Sequence, residues 1–132
     1  MKTKLRAIDA NLNRLREGIR VVEDICRYIL NDENAAKELK QLRHQARLEM
    51  YRDLIESRDS ENDILRPTMA IENDRFGSLK NAAIANFKRS QESARVLEEL
   101  LKIDDANSAE KFKNIRYSLY TIEKKIAAII LD

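Results

Sequence analysis

At 132 residues the chain has the length of one domain with a sizeable apolar core. Two glycines, one proline and 5% aromatic residues, beside abundant Ala, Leu, Ile, Glu, Lys and Arg, exclude a sheet-built protein and point to an all-helical one. Twenty-five basic and 23 acidic side chains leave a net charge of +2, with both signs mixed along the chain, which argues against the basic stripe of a nucleic-acid binder.

The first helix is predicted from about Thr3 to Leu30. Ile8, Leu12, Leu15, Ile19, Val22, Cys26 and Ile29 recur at three- and four-residue steps and form one apolar stripe. Asn31-Asp32-Glu33-Asn34 breaks it, with Asp32 or Asn34 as the next cap. A second helix is predicted from about Ala35 to Glu56, with Leu39, Leu42, Ala46, Met50 and Leu54 inward. From Ser57 to about Gly77 neither period holds. This long polar stretch reads either as a solvated crossover or as a charged lid over a polar site. A third helix is predicted from Ser78 or Leu79 to about Leu101, with Ala83, Phe87, Ala94, Leu97 and Leu101 inward. A fourth runs from about Ala109 to Ile130, capped by Asn107 or Ser108, with Phe112, Ile115, Leu119, Ile122, Ile126 and Ile129 inward. Short turns within each pair favour antiparallel neighbours. The expected fold is therefore an all-α four-helix bundle: one helical domain over 1–132, with hairpins at about 3–57 and 78–131 joined by the 58–77 loop.

The chain repeats itself. Ala10-Asn11-x-x-Arg14-x-x-Glu17-x-x-Arg20-Val21-Val22-Glu23-Asp24 returns without a gap as Ala85-Asn86-x-x-Arg89-x-x-Glu92-x-x-Arg95-Val96-Leu97-Glu98-Glu99, an offset of 86 − 11 = 75. Leu39-Lys40-Gln41-Leu42-Arg43-His44 echoes as Phe112-Lys113-Asn114-Ile115-Arg116-Tyr117, an offset of 116 − 43 = 73. The bundle thus reads as two copies of one hairpin related by a pseudo-twofold axis. A duplicated scaffold needs repeated apolar positions; it has no evident need of a repeated Asn, Arg and Glu. These residues lie on the flank beside the apolar stripe. Ion pairs of Arg14 with Glu17 and Arg89 with Glu92 that fix helix register are one reading. A polar pocket shared by the repeats is the other, because guanidinium forks match phosphate oxygens and carboxylates hold Mg²⁺.

Other features are weaker. Gly18 and Gly77 form no glycine-rich phosphate loop, so a bound nucleotide would depend on side chains. Cys26 reads as core rather than nucleophile, and His44 as an ordinary helix histidine. Tyr28, Phe76, Tyr117 and Tyr120 are able to stack on a base, although packing is their commoner use. One cysteine and one histidine exclude an internal disulfide and a His/Cys zinc site. No stretch is apolar enough to span a bilayer or resembles a signal peptide. A soluble, cytoplasmic protein with neither membrane nor nucleic acid as partner is expected.

Three segments, in matching order between about Leu5 and Lys102, resemble one bacterial family. They are Asp9 to Asp24, the loop Arg58-Asp59-Ser60-Glu61-Asn62-Asp63, and Ala85 to Glu99. The family is the small monofunctional hydroxymethylpyrimidine-phosphate kinase of thiamine biosynthesis, a helical domain often fused in front of thiamine-phosphate synthase and sometimes described as thiamine-phosphate pyrophosphorylase. Members often carry Asp-Val-Gly where this chain has Asp63-Ile64-Leu65, and Asp where it has Asn81. The resemblance implies ATP-dependent phosphorylation of hydroxymethylpyrimidine phosphate to the diphosphate, with Mg²⁺. An ionised phosphate acceptor needs positioning and charge neutralisation more than a strong base. Chemistry at the matching positions gives Arg58, Arg14 and Arg89 as catalytic. It gives Asn11, Asn86, Lys88 and Arg43 as substrate- or nucleotide-binding, and Glu17, Glu92, Asp59 and Asp63 as metal ligands, in one site on the pseudo-axis. The alternative is a non-catalytic helical module that docks on a thiamine-phosphate synthase or forms a homodimer. An RNA adaptor would need a basic face that the interspersed charges do not supply.

Overall fold

The computed structural model describes residues 2–66 and 78–131. Among them no strand occurs, and five α-helices follow a short 3₁₀ turn: α1 Leu5–Asp24, α2 Glu33–Gln45, α3 Tyr51–Ser57, α4 Leu79–Leu101 and α5 Ala106–Ile130. α1 continues into a π-helical turn, Ile25–Ile29, closed by Leu30 N donating to Ile25 O at 3.0 Å. Asn31 then turns the chain in the left-handed region at φ 54°, which a short polar side chain tolerates. Asp32 caps α2 by accepting from Ala35 N at 3.0 Å.

The predicted second helix is interrupted. The backbone leaves helical geometry at Ala46, where ψ is 71°, and resumes at Tyr51. No Gly or Pro marks the break, so the apolar period reads straight through it. Side chains satisfy the carbonyls released there: Arg47 Nε donates to His44 O at 2.8 Å, and Lys111 Nζ to Arg47 O at 2.6 Å. Ala46 and Leu54 are buried on either side, whereas Met50 is only half-buried. Among the described residues the expected four helices are therefore five. α5 also starts earlier than its stripe suggests, because Asp105, rather than Asn107 or Ser108, accepts from Ser108 N at 3.1 Å. Ser78 caps α4 through Asn81 N at 3.0 Å.

Contacts run from α2 to α1, α1 to α4, α4 to α5 and α5 back to α2, with α3 against α1. All five helices supply residues to one apolar core. α1 and α4 are antiparallel: Lys4 pairs with Asp104 at one end, and Ser90 Oγ reaches Leu15 O at 3.5 Å near the middle. The two helices meet closely there because Gly18 has no side chain. A Cβ on Gly18 would lie 2.2 Å from Ser90 Oγ and 3.1 Å from Asn86 O.

Candidate functional site

The repeated residues take two kinds of place. Glu23 and Glu98, equivalent in the repeat, each hold the equivalent arginine of the following helix. Arg43 Nε donates to Glu23 Oε1 at 2.7 Å and Arg43 Nη2 to Glu23 Oε2 at 3.2 Å. Arg116 Nη2 and Nε donate to Glu98 Oε2 at 2.9 and 3.2 Å. The hydrogen bond that Arg43 donates to Glu23 raises the Arg43 pKa. The Arg116 pKa is also raised, by Tyr120 first and then by Glu98. Ion pairing between helices is thus real, but it joins these residues rather than Arg14 to Glu17 or Arg89 to Glu92. Arg43, expected to bind substrate or nucleotide, is committed to this buried pair. The sequence signal was present: Glu23 and Glu98 share the 75-residue offset, and Arg43 and Arg116 the 73-residue one.

The other polar assembly lies between α1 and the segment after α3. A cleft of about 400 Å³ is lined there by Arg6, Asp9, Asn11, Asn13, Arg14, Arg58, Asp59, Ser60 and Asp63, together with Ala7 and Ala10. Arg58 grips the buried Asp9 as a fork, Nε to Oδ2 at 2.8 Å and Nη2 to Oδ1 at 2.9 Å, a geometry suited to the planar guanidinium. The hydrogen bond that Arg58 donates to Asp9 raises the Arg58 pKa above its usual value. Asp59 accepts from Asn62 Nδ2 at 3.0 Å, which with the neighbouring backbone bond and Arg6 holds its carboxyl below the usual range. Asp63 Oδ1 accepts from Leu65 N at 3.1 Å. Asn11 Nδ2 donates to Ala7 O at 2.8 Å, which leaves its amide oxygen for another partner.

Five expected site residues therefore line this cleft: Asn11, Arg14, Arg58, Asp59 and Asp63. Asn86, Lys88, Arg89, Glu17 and Glu92 are not in its lining, so this cleft brings together expected residues of the first repeat and of the 58–63 segment only. Asn86 repeats the Asn11 contact, Nδ2 to Ala82 O at 2.8 Å, and Lys88 pairs with Glu123 at 3.2 Å. Glu17, Arg89 and Glu92 are exposed. Asp9, Arg6 and Asn13 were missed. Asp9 opens the first family-like segment but lies just outside the repeat, and Arg58, distant in sequence, gives no local hint of its partner. Tyr117 and Tyr120 stand edge-to-face at 5.9 Å, with Arg116 over both rings; they do not line the cleft. Phe76 and the rest of the expected lid over 67–77 lie outside the described residues.

Among the described residues, no three His, Cys, Asp or Glu side chains gather into a group able to hold a metal. Asp59 and Asp63 are two carboxylates on one cleft, which suits Mg²⁺ only when phosphate oxygens complete its shell.

A family model, that of the ThiD2 family, matches residues 6–125. Curated relatives named thiamine-phosphate synthase include one from Nostoc punctiforme, 37% identical over 121 residues, which covers 92% of this chain and 34% of the relative. One from Synechocystis is 37% identical over 118 residues, covering 89% and 34%. One from Rhodopirellula baltica is 35% identical over 136 residues, covering 97% and 36%. The chain thus spans about a third of the length of the curated relatives it matches. No solved structure matches. The expectation of a phosphomethylpyrimidine kinase is corrected by these relatives, which bear the name of a different enzyme, thiamine-phosphate synthase. No helix among the described residues is long and apolar enough to cross a membrane.

Proposed function

This chain belongs to the ThiD2 family, tied to thiamine biosynthesis by its relatives, and on that premise we propose that it is a ligand-binding helical unit of the pathway. Its ligand is a phosphorylated pyrimidine, held in the cleft between α1 and the Arg58–Asp63 segment. The observation that carries this reading is the Asp9–Arg58 fork beside Arg14. Arg58 is neutralised and fixed by Asp9, and Arg6 donates to Asp59 O at 3.3 Å. Arg14 has no hydrogen-bond or ion-pair partner among the described residues and faces the same cleft, so it is the guanidinium left to meet a phosphate. Asn11 offers an amide oxygen to the amino edge of a pyrimidine. Asp59 and Asp63 hold Mg²⁺ together with the ligand's phosphate. ATP, the other expected ligand, would find no glycine-rich loop here and would depend on the same side chains.

The test is thermal stabilisation, since a ligand that binds only the folded state raises its stability by RT ln(1 + [L]/Kd). Hydroxymethylpyrimidine phosphate with Mg²⁺ raises the melting temperature, the unphosphorylated alcohol and inorganic phosphate do so less, and Mg-ATP is run as a separate arm. Arg14→Ala abolishes the shift and leaves the helical circular dichroism unchanged. An equal shift in Arg14→Ala, or none in the parent protein, overturns the reading. A second reading rests on coverage: two thirds of each relative lies outside the match, so the unit instead docks on a synthase. Binding to such a separate synthase, without any ligand-dependent stabilisation, favours that reading.

A further inference from the structure

The two halves have diverged at the apolar core positions of α1 and α4 and not along one outer face. Facing the core, Ile8, Leu12, Leu15, Ile19, Val22 and Cys26 correspond at the 75-residue offset to Ala83, Phe87, Ser90, Ala94, Leu97 and Leu101. All six pairs differ. Outside the core, Ala7, Ala10, Arg14, Glu17 and Val21 correspond to Ala82, Ala85, Arg89, Glu92 and Val96, and all five pairs are identical. These positions step by three and four residues, so each set forms one stripe along its helix. Ala10 is half-buried and the other nine residues are exposed, Val21 at 39% and Val96 at 38%.

The stripes lie about a common axis. Ser90 is the repeat counterpart of Leu15, and the two are in contact through Ser90 Oγ and Leu15 O. A residue that touches its own counterpart across antiparallel helices marks where the internal twofold axis passes. Arg14 and Glu17 flank Leu15 within one turn, and Arg89 and Glu92 flank Ser90 likewise. Two arginines and two glutamates thus surround the axis on the outer side, and none has a hydrogen-bond or ion-pair partner among the described residues. Packing does not explain their identity, because core packing tolerated change at every compared position.

We propose that the outer face of the α1–α4 pair is the interface for a second copy of this chain. Charge complementarity selects that occupant. On a face bearing both signs about a twofold axis, a rotated copy sets arginine against glutamate, as a self-complementary interface requires. Ala82 and Ala85 allow close approach and the two valines supply apolar contact, while Ala7, Ala10 and Arg14 also line the ligand cleft, so the interface and the cleft share an edge. An asymmetric partner would use one stripe and leave the identity of the other without cause.

Sedimentation equilibrium of the full chain tests this at micromolar concentration. The expected mass is twice the 15.4 kDa chain. The double variant Val21→Asp with Val96→Asp, at positions exposed enough to spare the fold, raises the dimer Kd about tenfold or more. Glu17→Lys with Glu92→Lys does the same by juxtaposing like charges, and circular dichroism of both variants matches the parent. A parent that stays monomeric throughout, or a dimer that neither double variant weakens, overturns the proposal.

Discussion

The buried Glu–Arg pairs show how a polar residue becomes indispensable to a fold without taking part in chemistry. The Glu23 and Arg43 side chains are 3% and 15% exposed, and those of Glu98 and Arg116 are 12% and 9%. Desolvating such ions offsets much of their attraction, so the pair adds little relative to an apolar replacement, whereas removal of one member strands the other. Glu98→Ala is therefore expected to cost about 3–5 kcal/mol in urea unfolding, and Glu98→Leu with Arg116→Met considerably less. Equal losses in the two variants would mean that the pair itself is the source of stability. Cys26 illustrates the same burial on a neutral group. Its thiol is pushed up to about 11, by desolvation first and by Asp32 second. Since the thiolate is the reactive form, Ellman's reagent at mildly alkaline pH is expected to label Cys26 only on unfolding. Rapid labelling of the folded protein would contradict that placement.

At the scale of helices, the close approach of α1 to α4 depends on Gly18. Gly18→Ala gains about 1 kcal/mol of helix propensity but forces a Cβ against Ser90 Oγ and the Asn86 carbonyl. Ser90 is able to rotate away; the backbone carbonyl is not, and overpacking of this kind costs about 1–3 kcal/mol. Net destabilisation is expected in chemical denaturation, with partial recovery on adding Ser90→Ala. Stabilisation by Gly18→Ala alone would mean that the helices are further apart. The long stripes made α1, α4 and α5 legible in the sequence, since a 3.6-residue period persists over many turns. The break between α2 and α3 was not legible, because Arg47 and Lys111 satisfy its carbonyls and neither residue is a local breaker. The repeat singled out Asn11, Arg14, Glu23 and Arg43 alike, but it could not separate ligand binding from pairing: from sequence alone Arg43 falls to the ligand and the ion pairs to Arg14 with Glu17 and Arg89 with Glu92. That division depends on which helix each flank faces, and for Arg58 on a fold-dependent partner 49 residues away.

For the whole molecule, several carboxylates held low lie at the joints rather than in the core. Asp104, in the α4–α5 turn, is depressed chiefly by its hydrogen bond from Lys4, which ties the start of α1 to that turn. Asp105 is depressed chiefly by Ser108 at the head of α5. Asp59 is depressed by Asn62 beside the cleft. A carboxyl whose folded pKa lies below its unfolded value stabilises the fold above the unfolded value and loses that contribution as pH falls through the folded one. The ordinary aspartate value is 3.8, so the melting temperature is expected to stay level through the mildly acidic range and to drop as pH passes below about 4. Asp104→Asn removes the charge that Lys4 recognises, so its melting temperature lies below the parent's at neutral pH and converges with it in acid. The Lys4–Asp104 contact is partly exposed, so molar salt shrinks the neutral-pH difference by screening. A constant difference between the two curves at every pH would place the effect of the substitution in packing rather than in charge. The joint between the repeats would then be held by its apolar neighbours alone.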